Sequence, residues 1–163
     1  MKVIKITTPL LLATMTSIPM LAHATVDQID GKQATCYIFN KDKLSQKSTC
    51  SYSGAVGGGY DYSIFELDFD VQGYGRVGVV NDITLRAGDD DYMNASDETI
   101  TLNSRKASLR YRDSQRLTVI SGQEFGRRYN AHEGKTGAPN WLECYQNPSS
   151  GLEFCYVPEY GMR

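Results

Sequence analysis

Four cysteines constrain the fold of this chain more than any other feature. Cys36, Cys50, Cys144 and Cys155 are its only cysteines, and they lie in two pairs whose members are close in the chain. An even number of cysteines in an exported chain favours disulfides, and four cysteines allow three pairings. Structural zinc sites use C-x-x-C or histidine spacings that are absent here. The sequence therefore predicts a disulfide framework instead of a metal site.

The last part of the chain predicts a hairpin that holds one of these disulfides. Two strand-like runs, Trp141–Gln146 and Leu152–Val157, flank the segment Asn147–Gly151. The Asn, Pro, Ser and Gly residues of that segment are typical of a turn. If the hairpin is centred on this turn, Cys144 lies directly opposite Cys155, at a separation that a disulfide can bridge.

A second hairpin is predicted near the start of the folded part. The runs Ala34–Phe39 and Lys47–Tyr52 flank the polar loop Asn40–Gln46, and a hairpin centred on this loop places Cys36 opposite Cys50. Both pairings are local, so we expect the disulfides 36–50 and 144–155.

The first 24 residues have the pattern of a cleavable secretory signal peptide. Lys2 and Lys5 precede an apolar stretch over residues 10–21, and Ala22-His23-Ala24 is typical of a cleavage site. The stretch is short for a membrane span and is interrupted by polar residues and a proline. We expect cleavage after Ala24 and a periplasmic or secreted product that does not span the membrane.

Removal of these 24 residues from 163 leaves 139, the size of one ordinary domain. This part holds 15 of the 17 basic residues and all 19 acidic ones, so its net charge is −4. Nonspecific nucleic-acid binding needs a basic face, and the charge therefore argues against a nucleic-acid partner.

Nearly every segment after the signal has the pattern of strands and turns. In Tyr60–Val71, for example, apolar residues alternate with acidic ones, as in a half-buried strand. We expect a flexible leader over residues 25–33 and one all-β domain over 34–163, a small antiparallel barrel or sandwich. Gly122–Asn140 is expected to be a long irregular connection, with a short helix as the alternative.

One candidate binding element is an acidic loop that contains Asp89, Asp90 and Asp91. The simplest interpretation is a solvated loop between strands. The alternatives are a docking loop for a basic partner and a calcium site formed by Asp89, Asp91 and Asp97, because carboxylate oxygens are calcium ligands. The residues that follow Asp89 do not match the EF-hand pattern.

The other candidate element is the cluster Arg127, Arg128, Tyr129 and His132 in the long connection. Loops on a rigid scaffold commonly bind partners, and partner contact is the expected role. An alternative is a small hydrolase in which His132 and an arginine act with Glu124 or Glu133, residue types suited to acid–base chemistry. No nucleotide-binding or serine-nucleophile motif is present, and no cofactor is predicted.

The closing hairpin also places aromatic residues on one face of the sheet. The predicted register puts these residues on one face and the disulfide on the other. Such an aromatic surface could stack on sugar rings. Aromatic residues also have high β propensity and dominate cores, which is the preferred interpretation. They are Trp141, Tyr145, Phe154 and Tyr156.

The segment Ser121–Phe125 resembles the Ser-Gly-x-x-Tyr element of periplasmic lysozyme inhibitors of the C-type class, which are small exported β-barrels. The resemblance covers five residues, Phe125 replaces the tyrosine, and no Trp-x-x-Gly element follows. It implies a binding role and does not assign the chain to that family.

The sequence thus favours an exported binding protein, an inhibitor or immunity protein whose partner is a cell-wall hydrolase or a toxin. A small secreted hydrolase and a structural component of the envelope or cell surface are the alternatives.

Overall fold

The computed structural model describes residues 25–59, 62–84 and 97–158. The predicted signal peptide, residues 1–24, lies outside the described residues. So do Asp89, Asp90 and Asp91 of the predicted acidic loop. Asp97 is described, and it is an exposed residue at the start of a strand.

The described chain consists of strands and one short helix, which confirms the predicted fold class. The helix α1 is Gly122–His132. The strands are β1 (Thr25–Asn40), β2 (Lys43–Gly58), β3 (Tyr62–Val71), β4 (Gly75–Thr84), β5 (Asp97–Leu102), β6 (Arg105–Lys106), β7 (Ser108–Asp113), β8 (Val119–Ile120), β9 (Trp141–Gln146) and β10 (Leu152–Tyr156).

Residues 25–33, predicted as a flexible leader, are instead the first part of β1. Thr25 pairs with Gly58 and Gln33 with Ser51, so this segment is one side of a long hairpin. Residues 53–58, which include three glycines, also lie in this hairpin, as the last part of β2. Backbone pairing with neighbouring strands outweighs the low strand propensity of these glycines.

The strands form one antiparallel sheet in the order β6-β5-β4-β3-β2-β1-β10-β9-β7-β8. The two sides of this sheet are close together. β6, at one edge, ends at Lys106, and β7, next to the strand at the other edge, begins at Ser108, so that Ala107 alone connects them. The sheet therefore curls into a barrel-like shape. Within the described residues, the backbone pairing does not close it into a complete barrel at this seam.

The main core fills the concave side of the curled sheet. Strands β1 to β5, β9 and β10 contribute buried residues to it. Phe69 packs near its centre, with ring centroids 5.2 Å from Tyr52, 4.7 Å from Phe154 and 4.9 Å from Tyr156. On β3 the buried residues alternate with exposed acidic ones, as the sequence pattern predicts. Tyr145, Phe154 and Tyr156 are core residues, so the alternative that these three form a sugar-binding face is wrong.

A second, smaller core lies on the opposite side of β1, β9 and β10. Successive side chains of a strand point to opposite faces, and both faces of these strands are covered. The buried members of this core are Tyr37, Phe39, Leu142, Cys144 and Cys155.

Both predicted disulfides are present. Cys144 pairs with Cys155 in the strand register, as predicted, and the Cα atoms are 4.1 Å apart. Cys36 and Cys50 are also bonded, with Cα atoms 5.9 Å apart, but Cys36 does not face Cys50. Its register partner is Ser48, so this disulfide is diagonal.

The register of the first hairpin differs from the prediction because the turn is shorter than expected. Asn40 pairs with Lys43, and the connection is the two residues Lys41 and Asp42, both with positive φ. Such a turn matches the twist of a hairpin. Together with an irregularity near Ile38, it moves the centre of the hairpin away from the middle of the predicted loop.

A buried ion cluster lies next to the second core. The side chain of Glu153 is 0% exposed, and its carboxylate accepts hydrogen bonds from Arg110 (2.9 and 3.0 Å) and Arg112 (2.9 and 2.6 Å). Both arginines also bind Asp42 of the first hairpin turn. Arg112 lies over the ring of Phe39, 4.2 Å from its centroid. The cluster thus connects β7, β10 and the β1–β2 turn.

Candidate functional site

The predicted basic cluster lies on α1 and not on an irregular loop. This helix contains all four predicted residues and so brings them together on one element: Arg127, Arg128, Tyr129 and His132. The helix forms because Ser121 caps it: the Ser121 hydroxyl accepts a hydrogen bond from the backbone N–H of Glu124, 3.2 Å away. The Ser-x-x-Glu spacing is the sequence signal that was overlooked, since it is typical of a helix start.

Arg128 is a tether between the helix and the sheet. Its guanidinium donates to the carboxylate of Asp113 at the end of β7 and to the backbone oxygen of Asn140 before β9, both at 2.8 Å. It also binds Glu124 one turn earlier on the helix, at 2.7 Å. These contacts leave the side chain 15% exposed, short of full burial. Arg128 therefore positions the helix and is not the contact residue that we expected.

Arg127 has the opposite environment. Its side chain is 70% exposed and binds Glu124 within the same helix, at 2.7 and 2.9 Å. Tyr129 is also exposed, at 37% of its surface. Arginine and tyrosine are enriched at the centres of protein interfaces. These two residues form the part of the predicted cluster that a partner can reach.

Aromatic rings fasten the underside of α1. Phe125 stacks on Tyr111 of β7 with ring centroids 3.5 Å apart. Trp141, which is 3% exposed, receives the rings of Phe125, Tyr129 and His132 at centroid distances of 5.6, 6.2 and 5.5 Å. Trp141 is thus covered by the helix, and it is not an exposed platform for a sugar ring.

The ion pairs of α1 shift the acidity of their carboxyl groups. Hydrogen bonds from Arg127, and then from Arg128, lower the pKa of Glu124 to about 2. The pKa of Asp113 is also lowered, first by the backbone N–H of Arg116 and then by Arg128. Both carboxylates stay ionised at neutral pH.

We expect a carbon-detected NMR titration of the Glu124 carboxyl group to give a midpoint near 2. A pKa below its unfolded value means that this group stabilises the folded helix above about pH 4.5 and that the contribution is lost as the pH falls through about 2. Arg127→Ala should raise the midpoint. A midpoint near 4.5 in the unmodified protein would contradict the ion pairs.

The hydrolase alternative is not supported by the positions of its proposed groups. Glu124 is held ionised between two arginines, which makes it a poor acid or base near neutral pH. Arg128 donates hydrogen bonds to Asp113 and to the backbone oxygen of Asn140, and the ring of His132 packs edge-on against Trp141. Glu133 caps the end of the helix through its backbone N–H. Glu124, Arg128 and His132 thus serve the structure of the helix and its attachment.

An open groove continues from the end of α1. A cavity of about 940 Å³ lies between residues 33–35 of β1, the segment 134–138 after the helix, and Val157–Pro158 after β10. The exposed face of α1 and this groove together are called the helix–groove surface below.

Among the described residues, the one group of potential metal ligands that lie close together is already engaged in other bonds. Cys144, Glu153 and Cys155 have ligand atoms within 4.8 Å of one another, but the two sulfurs form a disulfide and Glu153 binds two arginines. Of the predicted calcium ligands only Asp97 is described, so that site stays a prediction.

Sequence reasoning missed Asp42, Arg110, Arg112 and Glu153, the buried ion cluster. Its one local signal is the spacing of Arg110 and Arg112, which places both side chains on the same face of a strand. Asp42 and Glu153 carry no such signal, because their partners are distant in the chain.

Within the described residues, no helix is both long and apolar enough to cross a membrane. No protein-family model, no curated protein and no solved structure matches this chain.

Proposed function

We propose that this chain is an exported binding protein, an inhibitor or immunity protein that uses the helix–groove surface to bind a protein such as a cell-wall hydrolase or a toxin. The observation that carries the proposal is the attachment of α1. None of its residues is buried, yet Arg128 and Phe125 hold it in one position on the sheet.

Such an arrangement favours binding for a thermodynamic reason. Association orders side chains and loops at a cost, and an element that is already positioned avoids much of it. The Cys144–Cys155 disulfide joins β9 to β10 and the buried ion cluster joins β10 to β7, so the strands beneath the helix are held together. The exposed face of α1 then presents Arg127 and Asn130 on a defined frame, and Tyr129, whose ring also contacts Trp141, lies at its edge.

The two disulfides also support export, since disulfides persist in oxidising compartments. Together with the predicted signal peptide, they favour a partner in the periplasm or outside the cell.

The test is affinity capture from envelope extracts and culture medium with the disulfide-bonded protein, followed by inhibition assays on lysozymes, amidases and any captured toxin. We expect one stoichiometric protein partner. Arg127→Glu should weaken its binding at least about tenfold, the effect of losing an interface arginine. Arg76→Glu is the matched control, because Arg76 is exposed on β4, away from α1.

Recovery of no partner, together with no inhibition, would contradict the binding role. Equal losses of affinity for Arg127→Glu and Arg76→Glu would contradict the proposal that the helix–groove surface binds the partner. Concentration-dependent assembly of the protein on its own, seen on a sizing column, would favour the structural alternative.

A further inference from the structure

We propose that α1 is a lid, which undocks and unfolds as a unit while the disulfide-bonded sheet stays folded. The proposal concerns the same surface as the proposed function. Its consequence for partner binding rests on that function, whereas the opening itself does not.

The first observation is the contrast in burial between the helix and the sheet. No residue of α1 is buried, whereas the strands beneath it bury two cores. Regions with few buried apolar contacts open at a lower free energy than the global unfolding of the protein. The helix also has only 11 residues, and isolated helices of that length are marginal in water. Undocking of α1 therefore leads to loss of the helix.

The second observation is that a few side chains make the attachments described above. Arg128 supplies the polar tether, to Asp113 and to the Asn140 backbone. Phe125 supplies the closest ring contact, against Tyr111. The side chains of Arg128 and Asp113 are only 15% and 16% exposed, so added salt screens their ion pair weakly. Removal of the Arg128 side chain, and not a change of ionic strength, is therefore the way to break this attachment.

The third observation is a pair of glycines just after the helix. Gly134 and Gly137 have φ values of +72° and +105°, in the region that favours glycine. A segment of this kind can change direction without steric cost to a side chain, as hinge segments do. The chain can therefore move at the end of α1 while β9 stays in the sheet.

Opening of the lid has one specific effect on the molecule. The rings of Phe125, Tyr129 and His132 leave Trp141, which is 3% exposed in the closed form. Trp141 is the only tryptophan in the chain, so its fluorescence reports the lid directly. A partner that binds the closed lid must pull this equilibrium toward closure, and its apparent affinity falls as the closed fraction falls.

The experiment is amide hydrogen exchange under native conditions on the exported, disulfide-bonded protein, combined with acrylamide quenching of Trp141. We expect the amides of α1 to exchange at least about tenfold faster than those of β9 and β10, as in local opening. Acrylamide should reach Trp141 through the same opening, so a variant that opens the lid should increase the quenching.

Three variants sharpen the test. Arg128→Ala should speed exchange in α1 about tenfold, because it removes hydrogen bonds to a charged group. Arg127→Ala is the matched control on the same helix, since Arg127 binds Glu124 within the helix and not the sheet. Gly126→Ala should slow exchange a few-fold, since alanine favours the helix and its Cβ would meet no atom within 4 Å.

Exchange of α1 only together with the strands would overturn the proposal, and so would equal effects of Arg128→Ala and Arg127→Ala. Neither measurement uses a partner. A failed capture experiment therefore leaves the lid intact, and a helix that never opens leaves the proposed contact surface intact.

Discussion

Replacing Glu153 by alanine should lower the free energy of unfolding by about 3–5 kcal/mol, the cost of breaking a buried ion pair by removing one partner. The side chain of Glu153 is 0% exposed and accepts four hydrogen bonds from Arg110 and Arg112. Without this carboxylate, the two guanidinium groups retain one common acid, Asp42, at the surface. Arg112 is then a buried cation whose charge is balanced only by the exposed carboxylate of Asp42.

Chemical denaturation of the oxidised protein measures this change, and the melting temperature should fall by on the order of 10 °C. Asp42→Asn is the matched control. Asp42 is 62% exposed, and asparagine tolerates its positive φ, so its change should not exceed about 1 kcal/mol. Equal losses for the two variants would show that burial of Glu153 does not determine the effect.

Gly54→Ala should be the second most damaging substitution, with a loss of about 3 kcal/mol, the upper range for overpacking. A Cβ at this position of β2 would lie 2.0 Å from the backbone oxygen of Glu66 and 2.9 Å from Cα of Leu67, both on β3. Backbone atoms cannot rotate away, so β2 and β3 would have to separate where they are paired.

Gly78→Ala on β4 is the control for this substitution. Its Cβ would come within 3.1 Å of one carboxylate oxygen of Asp68, the end of a side chain that can move. We expect a change below about 1 kcal/mol, which urea denaturation would resolve from the change at Gly54. A tolerated Gly54→Ala, with unchanged amide protection in β2 and β3, would mean that the strands are not in close contact there.

Much of the fold follows from local patterns. Alternation in Tyr62–Val71 identifies a half-buried strand before any neighbour is known. The turn Asn147–Gly151 correctly predicts that Cys144 faces Cys155. The register of the first hairpin is harder to predict, because the polar residues 40–46 do not show which two of them form the turn. The structure uses Lys41 and Asp42, and Cys36 therefore faces Ser48.

The candidate site was less predictable than the fold. Arg127 and Arg128 are adjacent in sequence and chemically identical, yet one is 70% exposed and the other is a tether. The difference arises from the 100° step between successive residues of a helix, which turns Arg128 toward Asp113 and Arg127 toward solvent. Prediction of an irregular loop at this place concealed that difference.

The sequence by itself determined the strand-rich composition, the two local disulfides and the faces of the last hairpin. These properties depend on residues within about 15 positions of one another, where the period of a strand and the reach of a disulfide are decisive. Only the tertiary structure decided that β1 lies beside β10, with Cys36 opposite Tyr156, and that Glu153 is buried between two arginines. Those contacts join distant segments, and their free energy depends on burial, which no local pattern contains.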